Sequence, residues 1–147
     1  MTHKYSCDDA ATDMEAVRKC CGYGDPSAAV AFAEIVDRLV ADLAPSEFAR
    51  QPQVVAFVFT GLFSLRDWVF NSHYRPSTDK ARKVFRSFDG ELRLRLSQCN
   101  AGGSYSEPDN VDPFALWDFY HNEFLPVVAA LRSTGDAKTS LDFLSRE

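Results

Sequence analysis

The chain has 147 residues, 46% of them hydrophobic and 13% aromatic, and a formal net charge of −5. That length suits one domain spanning 1–147, able to bury roughly two-thirds of its unfolded surface, and the apolar content excludes global disorder. The acidity argues against the whole molecule being a polyanion binder. No apolar run reaches the ~18 residues of a membrane span, and the acidic N-terminus lacks an apolar signal stretch, which points to a cytoplasmic protein.

In chain order, Asp8 or Asp9 opens an acidic first turn, Ala16, Val17, Cys20 and Cys21 follow, and Gly22 and Gly24 stop a short helix. The cysteines are Cys7, Cys20, Cys21 and Cys99. An adjacent pair without a C-x-x-C is neither a zinc knuckle nor a thioredoxin-type motif, so the four read as reduced structural thiols. Asp25 and Pro26 are the cap and first residue of a second helix, whose apolar stripe runs through Val30, Ala33, Leu39, Val40 and Leu43 to a stop at Pro45. After the short link SEFARQ, Pro52 opens a third helix reaching to about His73. Its first half is apolar on every side, which predicts a central apolar helix near residues 52–73. Gly61 in that helix lets a neighbour approach closely, at a cost of roughly 1 kcal/mol in helix propensity.

Ser77, Thr78 or Asp79 caps a fourth helix, KARKVFRSF. The following DGELRLRLSQC supports two patterns. Leu92, Leu94 and Leu96 alternate as in a strand after an Asp-Gly turn signal, while Phe88, Leu92, Leu96 and Cys99 fall at helical spacing. With no partner strand elsewhere, residues 90–98 are read as helix. NAGGSYSEPDNV is a long polar loop. Asp112 and Pro113 then repeat the cap-plus-proline start, Pro126 kinks the last long helix near Asn122, and Gly135 stops it. The fold class is therefore all-α: a single helical bundle of five to seven helices.

Chemistry concentrates in two stretches. In LRDWVFNSHYRP, Arg66 and His73 share a helix face about 10.5 Å apart along the axis, with Asp67 and Asn71 as an i, i+4 polar pair beside them. Between Arg66 and Arg95 lie eight basic and four acidic residues. Arg75, Arg82, Lys83 and Arg86 make that block the natural seat for an anionic partner such as RNA. In WDFYHNE, Trp117, Tyr120 and Phe124 face the core while Asp118, His121 and Asn122 face a groove or solvent. Asp118-x-x-His121 occurs once, whereas helical di-metal bundles need the step twice with further Glu ligands, so no metal site is expected, and no cofactor motif occurs.

An Arg followed by a polar residue, with His seven positions on, resembles the R-x(4–6)-H motif of HEPN ribonucleases. The resemblance implies a small helical bundle, a homodimer whose composite cleft cuts RNA without a metal, His73 as acid–base and Arg66 as the charge that stabilises phosphate. Two functions are consistent with these residues. One is a helical interaction module that binds a protein partner, of antitoxin-like, phage-defence or viral-modulator type. The other is a HEPN-like ribonuclease, or an inactive relative that still binds RNA.

Overall fold

The computed structural model describes residues 5–21, 25–68, 78–92 and 111–134, except for the side chains of Asp67 and Trp68. These residues form six helices and no strand. The helices are α1 (Cys7–Cys20), α2 (Ser27–Val40), α3 (Pro45–Ala49), α4 (Pro52–Trp68), α5 (Asp79–Glu91) and α6, which covers residues 113–134 in three continuous parts.

Local chemistry explains most of the boundaries. Ser6 and Asp9 cap α1 reciprocally: the Asp9 amide donates to Ser6 Oγ at 3.3 Å, and the Ser6 amide to Asp9 Oδ2 at 2.9 Å. The helix consequently begins at Cys7, ahead of the acidic turn expected to open it. Asp25 Oδ1 accepts from the Ser27 amide at 2.9 Å, and Pro26 stands at the cap position of α2. Thr78 Oγ1 caps α5 through the Ala81 amide at 3.1 Å. Asp112 Oδ1 takes both the Phe114 and Ala115 amides, at 3.0 and 3.3 Å, to start α6. Each cap satisfies amides that a first helical turn leaves without partners.

Two expectations are corrected. Pro45 does not end α2, which stops at Val40. It occupies the first turn of α3, where a missing N–H costs nothing, and Glu47 Oε1 accepts from the Ala44 amide at 3.0 Å. The link SEFARQ is thus mostly helix, anchored by Phe48, which is buried against the Trp117 ring at 4.9 Å between centroids. The disturbance expected near Asn122 takes the form of a π turn over Tyr120–Phe124, in which the Leu125 amide reaches back five residues to the Tyr120 carbonyl. The wider turn lies immediately before Pro126, whose ring would crowd the preceding carbonyl in a regular α-helix and which has no amide to donate. The helical alternative for residues 90–98 holds as far as Leu92: α5 runs through Asp89 and Gly90 to Glu91, and Leu92 keeps helical angles. The remainder of that stretch, the polar loop before Asp112, and the chain after Thr134 lie outside the described residues.

The core is continuous and rich in phenylalanine. α4 buries Val54, Val55, Val58, Phe59, Leu62 and Leu65 and packs against α1, α2, α3 and the first part of α6. α2 is enclosed further still, with nine of its fourteen residues buried. Phe88 carries α5 onto α6, with ring centroids 5.7 Å from Phe119, just before the π turn, and 5.6 Å from Phe124 at its end. Gly61 does what the sequence suggested: a Cβ there would overlap the Phe32 ring of α2. Phe32 in turn stacks on Phe57 at 5.7 Å and meets Phe124 edge-on at 5.9 Å. Such aromatic contacts contribute beyond the area they bury. Among the described residues, no helix is long and apolar enough to cross a membrane.

Candidate functional site

Two concavities lie between α1 and α4, with α2 behind them. One hollow of about 480 Å³ is lined by Tyr5 and Cys7 at the entry to α1, Leu39 of α2 and Leu43 just beyond it, and Pro52 and Val54 at the start of α4. A second, of about 270 Å³, is lined by Ala11, Met14 and Arg18 of α1 and by Phe57, Gly61 and Ser64 of α4, with Phe32 as its floor. The two are one helical turn apart on both walls, Cys7 to Ala11 and Val54 to Phe57, and follow one another as a two-part trough along the α1–α4 seam. Its walls therefore run in the same direction, with α2 antiparallel beneath them. From Cys7 to Arg18 the trough spans about 16 Å, or three helical turns.

Sequence explains how the trough stays open. Ala11 and Gly61 are the smallest residues on facing walls, and Gly61 lets Phe32 fill the floor. One end is bridged by Arg18, which donates from Nη2 to Ser64 Oγ at 3.3 Å. At the other, the Tyr5 hydroxyl is bonded to the Asp13 carboxylate and its ring lies 5.8 Å from the Arg38 guanidinium carbon. Burial, and then the Asp13 carboxylate, raise the Tyr5 hydroxyl far above its usual range, so it stays neutral there. The rim carries acid on α1, with Asp8 and Glu15 exposed. Nothing in the sequence singled out this trough, because Ala11, Met14 and Phe57 are ordinary helix residues until the tertiary arrangement sets α1 beside α4.

Those residues singled out by the sequence that the structure describes lie on α4, α5 and α6. Arg66 is in the last turn of α4, and its Nε donates to Asp89 Oδ1 of α5 at 3.0 Å, with both side chains only a quarter to a third exposed. Asp67 belongs to α4, its side chain outside the description, while Asn71, His73 and Arg75 lie outside the described residues altogether. Arg82, Lys83 and Arg86 are exposed on α5, Arg82 in contact with Asp79 one turn earlier.

On α6, the division expected for WDFYHNE is found. Tyr120 and Phe124 are buried, Trp117 is half-buried, and Asp118, His121 and Asn122 face solvent. The His121 ring lies against Trp117 at 4.6 Å and donates from Nδ1 to the Trp117 carbonyl at 2.8 Å. The gap beneath it holds only about 10 Å³, too little for more than a single water. Among the described residues, no three His, Cys, Asp or Glu side chains gather to hold a metal.

Cys7, Cys20 and Cys21 are free thiols. Burial, followed by the charge of Asp25, pushes Cys21 up to about 11, which makes it a poor nucleophile. No protein-family model, curated protein or solved structure matches this chain.

Proposed function

We propose that this protein is a helical interaction module whose trough between α1 and α4 receives an amphipathic helix from a protein partner. The observation that carries the reading is the trough itself: about three turns long, apolar along its floor, and polar at its rim. Recognition of this kind places the apolar face of a helix into a hydrophobic groove through anchors at i, i+3 or i+4, and i+7. Met14, Phe57, Leu39 and Val54 offer seats for such anchors. The exposed acids Asp8 and Glu15 on the α1 wall favour Lys or Arg beside the apolar stripe of the incoming helix.

The test is selection of binders from a displayed library of helical peptides, followed by measurement of their affinity for an Ala11→Arg variant. Ala11 is exposed, and alanine and arginine are both good helix formers, so the fold is retained. The expected result is a set of basic amphipathic helices that lose at least tenfold in affinity when the longer, charged side chain of the variant projects into the trough. Selected peptides that bind the variant as tightly as the original protein would place recognition elsewhere and overturn the reading.

A further inference from the structure

We infer that the solvent face of α5 is a docking surface for the phosphodiester backbone of a nucleic-acid duplex. The helix is sharply two-sided. Ala81 and Phe88 are buried and Phe85 packs against the core, so one stripe faces inward. Lys80, Lys83 and Arg86 follow one another at three-residue intervals on the other side, all exposed. Such positions drift by ~60° per step, so the three span ~120° on the side away from the core and cover about 9 Å of the helix length. They border a shallow surface hollow of about 500 Å³, shared with Asp79 and Arg82.

What singles out these three cations is the pairing of their neighbours. In the basic block, Arg66 is held by Asp89 and Arg82 by Asp79. Among the described residues, no carboxylate pairs with Lys80, Lys83 or Arg86. Three positive charges in one row are thus left facing water on a chain whose net charge is −5. Mutual repulsion makes such a row mildly unfavourable in isolation, and an anionic partner relieves it.

The face also discriminates among anions. A protein interface needs a desolvated centre, usually aromatic or aliphatic, and is depleted in lysine. The outward face of α5 has no such centre: its two phenylalanines point into the core. Single-stranded nucleic acid is held on stacking aromatic platforms, and this face has none. A duplex backbone needs neither, since phosphates are contacted by Lys and Arg alone. Binding of that kind is sequence-independent and of modest affinity, with a dissociation constant of about 10⁻⁴–10⁻⁶ M at physiological salt.

The experiment measures fluorescence anisotropy of short labelled DNA and RNA duplexes with the full chain, across a salt series. Three phosphate contacts predict a log–log salt slope of about −2.7, which is roughly a 40-fold loss of affinity between about 50 and 200 mM salt. A Lys80→Gln/Lys83→Gln/Arg86→Gln variant is expected to weaken binding at least tenfold and flatten the slope. Lys19→Gln/Arg50→Gln, at exposed positions away from α5 and the trough, leaves both unchanged. All three residues of the first variant are exposed, and circular dichroism verifies that it is folded. The inference is overturned if neither duplex binds at low salt, if the triple variant binds as well as the original chain, or if polyglutamate competes as effectively as a duplex. The last outcome assigns the face to an acidic protein instead.

Discussion

Glycine gives the sharpest test at the scale of single residues, because two helical glycines stand in opposite surroundings. At Gly61 an added Cβ would overlap the Phe32 ring, which Phe57 and Phe124 hold on two sides. The ring cannot swing away without unpacking the centre of the core. Overpacking of this kind costs about 1–3 kcal/mol, against a gain of about 1 kcal/mol in helix propensity. Gly61→Ala is therefore expected to destabilise the fold, by up to about 2 kcal/mol, read as a lower urea midpoint. At Gly90 no atom lies within 4 Å of the same Cβ, and the residue is exposed within α5. Gly90→Ala is expected to stabilise by about 0.5–1 kcal/mol. Equal effects at the two sites would contradict the packing described around Phe32. Arg66 belongs to this scale too. Its link to Asp89 joins α4 to α5, and with both partners partly exposed it contributes about 1 kcal/mol at most.

Helices with caps and apolar stripes were legible in the sequence, and those without them were not. Asp112 and Pro113, Thr78, and Asp25 with Pro26 mark real starts to within a residue. The course of α5 through Asp89 and Gly90 was argued from the helical spacing of Phe88 and Leu92 and decided by the lack of a partner strand. Five-residue α3 is too short for any periodicity, although Pro45 and Glu47 at its first and third positions are a start signal in hindsight. The effect of Pro126 was legible in position and not in form, because a kink and a π turn both relieve the same crowding. The trough was wholly illegible, since it depends on which helices become neighbours. α3 supplies the prediction at this scale. Only Phe48 anchors it in the core, so Phe48→Ala removes a buried aromatic and the Trp117 contact together. The expected cost is about 3–5 kcal/mol. Because the lost ring lies beside Trp117, the substitution should also change tryptophan emission of the folded protein. A variant with native stability and unchanged emission would mean that α3 is not seated as described.

Among the described residues, four weak acids, Cys7, Cys21, Tyr5 and Tyr120, are held neutral by the fold, Cys7 by burial and then Asp8, and this makes stability depend on pH at the alkaline end. Burial and then Asp25 raise Cys21 from the usual 9.0 to about 11. Burial is also the largest influence on Tyr5 and Tyr120, each raised well above the usual 10.0, by Asp13 in the first case and Asp37 in the second, with Arg132 opposing at Tyr120. Well below pH 9 all four are protonated in both folded and unfolded chains, so pH has no hold on stability through them. As pH rises past 9.0 for the thiols and 10.0 for the phenols, the unfolded chain releases protons that the native chain retains. The unfolded state then binds fewer protons, the slope of unfolding free energy with pH is negative, and stability is lost. Urea midpoints measured from about pH 8 to about pH 11 should fall, with the decline starting near the thiols' range. Cys7→Ser/Cys21→Ser is expected to remove the earliest part of that decline and leave the later part, while Tyr120→Phe should make the later part shallower. A midpoint that stays level or rises over this range would show that these groups titrate alike in both states, and that the native fold does not hold Cys7, Cys21 and the two tyrosines in the enclosed sites described.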